Sequence, residues 1–91
     1  MIIIKHRVNN SKELKKLNND YGVEIDLRSK SKTIYLHHDP YTKGELFSKW
    51  IKHYNHKLLV LNVKEEGLEK KILKTLKKNK IKNFFFHDQT F

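Results

Sequence analysis

The sequence predicts an α/β fold of mostly parallel strands, and two observations predict it. Apolar runs of strand length alternate with segments whose apolar residues recur at helical spacing, in the order β-α-β-β-α-β-α-β. The opening run Met1-Ile2-Ile3-Ile4 is continuously apolar, as befits a strand buried on both faces of a parallel sheet.

The elements follow in order. Met1–His6 reads as the first strand, after which Ser11 can cap a helix through about Asp20, with Leu14 and Leu17 turned inward. Gly22 is expected to end that helix. Val23–Arg28 alternates strictly, with Val23, Ile25 and Leu27 on one face and Glu24, Asp26 and Arg28 on the other. Thr33–His38 is a third strand. Thr42-Lys43-Gly44-Glu45 matches a capping box that opens a helix with an apolar stripe of Leu46, Phe47, Trp50, Ile51 and Tyr54. Leu58–Lys64 is a fourth strand, Leu68, Ile72, Leu73 and Leu76 mark a further helix, and Ile81–His87 is a fifth strand. The link between the second and third strands is short and helix-free, the weakest point of a parallel topology.

At 91 residues the chain is one domain or less. It has no cysteine, which excludes a disulfide scaffold and any thiolate metal site. A secretory core needs about 7–15 apolar residues and a membrane span about 20, so the opening run is neither. A soluble, cytoplasmic protein is expected. The net charge of +10 invites a nucleic-acid reading. Arg7 and Arg28 are the only arginines, however, and the lysines are spread over every expected helix and loop, as an AT-rich coding bias would leave them. Nucleic acid is therefore not the expected partner.

The chemistry collects at strand ends. The first strand ends in His6-Arg7, the second in Glu24, Asp26 and Arg28, and the third in His37-His38-Asp39. The fourth ends in Asn62 and Lys64, the fifth in His87-Asp88. Apolar strands with ionisable carboxyl ends are what a (βα) barrel needs, because its active site lies at that face. Glu24 and Asp26 point to the same side of a strand, roughly 6.5–7 Å apart, and can share a hard cation such as Ca²⁺ or Mg²⁺. A solvent-facing acidic edge paired with Arg28 and lysines reads equally well. His38 shares its alternation with Ile34 and Leu36 and is expected to point inward. With His6 it offers two imidazoles able to serve as acid and base near one phosphodiester. Lys64 would neutralise a phosphate oxygen, whereas His53 and His56 read as surface.

These residues carry a family resemblance. His6-Arg7 looks like the start of the HRG motif of glycerophosphodiester phosphodiesterases, and Gly22-Val23-Glu24-Ile25-Asp26-Leu27-Arg28 is similar to their G-x-x-E-x-D-V/L-R segment. Leu36-His37-His38-Asp39-Pro40 resembles their HD-P strand end and also the related phosphatidylinositol-specific phospholipase C barrels. Leu61-Asn62-Val63-Lys64 occupies the place of their E-x-K strand. The resemblance implies a divalent-cation-dependent hydrolase of lipid metabolism. His6 and His38 would be acid and base, Arg7 and Lys64 phosphate stabilisers, and Glu24, Asp26 and Asn62 the metal ligands. A small phosphodiester would be the substrate. Val8 departs from the HRG glycine, and Asn62 stands where a third metal-binding glutamate belongs, so it brings an amide oxygen without charge.

A complete (βα)₈ barrel needs roughly 200–250 residues. Residues 1–91 are therefore expected to form a single partial domain, an incomplete TIM (βα) barrel of about five mostly parallel strands and three helices. A truncated product is the first explanation, a half-barrel completed by self-association the second, and a small open fold the third. Two other functions stay open, a non-catalytic phosphate-ligand-binding domain and a basic nucleic-acid-binding α/β domain.

Overall fold

A computed structural model gives the structure of residues 1–38 and 44–87. Its organising element is β2 (Gly22–Lys30), against which every other part of the sheet is placed. Along one edge β2 pairs in parallel with β5 (Leu58–Val63), from Gly22 opposite Leu58 to Leu27 opposite Val63. Its other edge is shared. β1 (Ile4–Lys5) runs parallel to the first half, and β3 (Thr33–Leu36) runs antiparallel to the second, with Leu36 opposite Leu27. β6 (Phe84–His87) adds in parallel beyond β5, and β4 (Glu45–Leu46) pairs antiparallel with β3. The order is β4-β3-β2-β5-β6, with β1 beside β2.

This corrects the expected incomplete barrel of mostly parallel strands. The sheet is mixed and open. The cause is the two-residue link Ser31-Lys32, since a parallel return needs a crossover of a dozen or more residues, whereas two residues suffice for a hairpin. Ser31 and Lys32 both adopt left-handed backbone, at φ 51° and 67°, as a tight hairpin turn matched to strand twist requires. The idea of a second copy completing a barrel loses its premise with this correction.

The helices are α1 (Ser11–Lys16), α2 (Phe47–Trp50), continued by a 3₁₀ turn at Ile51–His53, and α3 (Glu69–Lys78). Val23, Ile25 and Leu27 of β2 and Leu59 and Leu61 of β5 join one core cluster with Leu14, Phe47, Trp50, Ile51, Leu68, Ile72 and Leu76. All three helices therefore cover the same face of the sheet. Alternation along each strand sends Glu24, Asp26 and Asn62 to the opposite face. No helix among the described residues is long and apolar enough to cross a membrane.

Several boundaries move for local reasons. Asn10, not Ser11, caps α1, its Oδ1 accepting from Glu13 N at 2.8 Å. Ser11 instead donates from N and Oγ to Glu45 Oε1, at 2.8 and 3.0 Å. That carboxylate lies in β4 rather than in a capping box of its own helix, and Thr42 and Lys43 lie outside the described residues. α1 stops at Lys16 because Asn18 makes a turn, its Oδ1 accepting from Asp20 N and its carbonyl from Tyr21 N. Gly22 then opens β2 rather than closing the helix, and an added Cβ there would come within 3.0 Å of Ile4 Cγ1. The first strand shrinks from Met1–His6 to Ile4–Lys5, the third ends at Leu36, and the last begins only at Phe84. α3 closes with a Schellman motif in which Ile81 N donates to Leu76 O and Lys80 N to Lys77 O. Lys80 holds its left-handed position at φ 60°. Leu73, one of the apolar residues that mark this helix in the sequence, is exposed.

Candidate functional site

β1, β2, β5 and β6 all run in one direction, so their carboxyl ends share one rim of the sheet. On the helix-free face, Asp26 stands opposite Asn62, and Asn62 opposite His87, a row crossing three strands. Lys64 follows β5 and extends its ladder, Lys64 N donating to Leu27 O at 3.0 Å. His6, Arg7, Glu24, Asp26, His38, Asn62, Lys64 and His87 line one cleft of about 430 Å³. All seven residues singled out from the sequence thus meet at one place.

The backbone at Arg7 explains how β1 reaches this rim. Arg7 is left-handed at φ 53°, a conformation that costs a non-glycine residue about 1–2 kcal/mol. Beyond it Val8 drops into the core, with its N–H donating to Glu24 O at 2.9 Å. Asn9 then reaches across to β2. Its Oδ1 accepts from Asp26 N at 2.9 Å and its Nδ2 donates to Asp26 Oδ2 at 3.0 Å. Sequence reasoning missed Asn9 as part of the site. Its signal was weak, an asparagine in a segment rich in them.

His38 arrives by a route other than the expected one. Alternation from Ile34 and Leu36 would turn it toward the helices, but β3 ends at Leu36. The antiparallel return brings His37 N to Asp26 O at 3.1 Å, and a bend beyond it places His38 at the cleft. Arg28 pins this bend, with Nε donating to His37 O and His38 O at 3.2 and 3.1 Å and Nη2 to His38 O at 2.6 Å. Arg28 thus holds backbone carbonyls rather than Glu24 or Asp26.

Polar side chains from neighbouring segments meet in the cleft. His6 Nδ1 lies 3.2 Å from Glu24 Oε1, the imidazole mostly exposed and the carboxylate largely covered. Lys64 Nζ lies 3.7 Å from Asp26 Oδ1, and Asp26 is 1% exposed. Asn62 is buried, and its Oδ1 has no hydrogen-bond partner among the described residues. An orphaned buried acceptor is costly, so this oxygen is suited to a donor or a cation brought by a ligand. His87, exposed at the end of β6, lines the same cleft, and its place at a strand end is visible in the sequence. His53 is on the surface as expected, and the ring of His56 is engaged with Leu17 O at 3.0 Å.

For a divalent cation, the oxygens present are two carboxylates, Glu24 and Asp26, and the unpartnered amide oxygen of Asn62. That set fits a hard cation in kind, with one neutral ligand where a third charge would strengthen binding. Among the described residues, no group of three or more His, Asp or Glu side chains could hold a metal ion, so Asn62 is what would complete the set. No protein-family profile, no curated protein and no solved structure matches the chain.

Proposed function

We propose that this cleft binds and hydrolyses a small phosphodiester of the glycerophosphodiester type. The observation that carries the reading is the convergence of His6, Arg7, Glu24, Asp26, His38, Asn62 and Lys64, from separate segments of the chain, on one cleft. Glu24 orients His6 through Nδ1, leaving Nε2 as the ring nitrogen for proton transfer. His38 is the second proton-transfer group. Lys64 and Arg7 supply positive charge for phosphate oxygens as negative charge develops. A Ca²⁺ or Mg²⁺ ion held by Glu24, Asp26 and Asn62 would polarise the phosphoryl group when bound. Two carboxylates in the cleft favour a substrate with a single anionic phosphate over a polyanion, so nucleic acid is the poorer fit despite the chain's positive charge.

Asn62 favours a second reading, binding without turnover, because it lowers the charge available to a cation. Both are separated by assaying hydrolysis of glycerophosphocholine with Ca²⁺ or Mg²⁺. The expected result is cation-dependent release of choline that falls at least about 100-fold in His38→Ala. Binding of the diester with no product supports the second reading. Absent binding, or turnover indifferent to the cation, contradicts the first.

A further inference from the structure

Resting on the phosphodiester reading above, we infer that His87 is a further catalytic residue, the group that protonates the departing oxygen. The cleft has two flanks. His6 follows β1 and His38 follows β3, and both strands pair with the same edge of β2. The bonds from Val8 N to Glu24 O and from His37 N to Asp26 O fix these two segments beside the acidic pair. His87 stands on the opposite flank, at the end of β6, with Asn62 between it and Asp26. β1 and β6 are three strand spacings apart, about 14 Å between backbones. Side chains reaching inward from both can bracket a phosphoryl group lying over Asp26 and Asn62.

In phosphoryl transfer the entering and leaving oxygens lie in line on opposite sides of phosphorus. Two imidazoles on one flank serve only one end of that line. The chemistry therefore divides across the cleft. A hydroxyl, of water or of the substrate itself, attacks phosphorus and loses its proton to an imidazole on the flank of His6 and His38. The new P–O bond forms, the P–O bond to the alcohol breaks, and His87 gives a proton to the departing alkoxide. One proton is taken up and one is given, so the step balances. The fold makes little use of His87: its strand neighbours Phe84 and Phe86 pack against the core on the other face, while its own side chain is exposed.

The test compares two diesters of the same glycerol phosphate. Choline is a poor leaving group that needs a proton, whereas 4-nitrophenolate departs without one. For His87→Ala, kcat on glycerophosphocholine is expected to fall at least about 100-fold, with glycerophospho-4-nitrophenol turned over at close to the wild-type rate. His87→Gln, which keeps the bulk of the side chain, is expected to show the same split. Equal losses on both diesters, or no loss on either, would overturn the role of His87 while leaving the phosphodiesterase reading intact. A wild-type protein that turns over neither diester would overturn that reading and the role of His87 with it.

Discussion

Replacing Lys64 by methionine is expected to cost about 3 kcal/mol of stability and at least about 100-fold in turnover. The stability loss comes from Asp26. Its carboxylate is 1% exposed and has the Lys64 ammonium 3.7 Å from Oδ1, with Asn9 on Oδ2. Breaking a buried pair from one side strands the other charge, which is costlier than removing both. The double variant Lys64→Met with Asp26→Asn should therefore recover most of the stability, measured by urea denaturation, and none of the turnover. A double variant no more stable than the single one would show that the two side chains do not depend on each other.

Trp50→Ala is expected to cost about 3–5 kcal/mol, the largest effect of any single core truncation here. Trp50 is fully buried, stacked on Phe47 and tilted against Tyr54, with ring centroids 6.5 and 5.9 Å away. Native proteins hold about 5–15 kcal/mol in total, so this one truncation removes a large share of the stability. Trp50→Phe makes the complementary case. The indole Nε1 is buried with no partner among the described residues, so phenylalanine removes an unsatisfied donor along with some volume. Its expected cost is below about 1.5 kcal/mol. The same apolar surroundings hold the phenol of Tyr54 well above its ordinary pKa. A urea midpoint unchanged in Trp50→Ala would contradict the placement of this ring at the centre of the core.

The part of the molecule that was legible in the sequence is the part governed by a period of two. Val23, Ile25 and Leu27 facing the core fix Glu24 and Asp26 on the other face, whatever sheet they belong to. Asn62 follows from the same alternation on β5, and Lys64 continues it just beyond the strand's end. What failed was the inference from strand order to barrel. Alternating strands and helices suggest parallel crossovers, but Ser31-Lys32 is too short for one, and the turn lacks the glycine or asparagine that usually announces a hairpin.

His38 reaches the cleft by a route that the sequence did not indicate. Its expected inward direction assumed that β3 continues through it, while the strand ends two residues earlier. The hairpin overshoots the rim on β2 as far as Lys30 and returns to the level of Asp26, which is what carries His38 to the cleft. The pairing of Asn9 with Asp26 was illegible for a different reason. It depends on the left-handed bend at Arg7, and no residue pattern marks that bend when glycine is absent.

The most direct test of the central claim is an imidazole ¹H–¹⁵N titration with a non-hydrolysable phosphonate analogue of glycerophosphocholine, in the presence of Ca²⁺. The account predicts that the signals of His6, His38 and His87 shift together along one binding curve while His53 and His56 stay put. Signals of the first three that move at unrelated concentrations, or no more than those of His53 and His56, would contradict it.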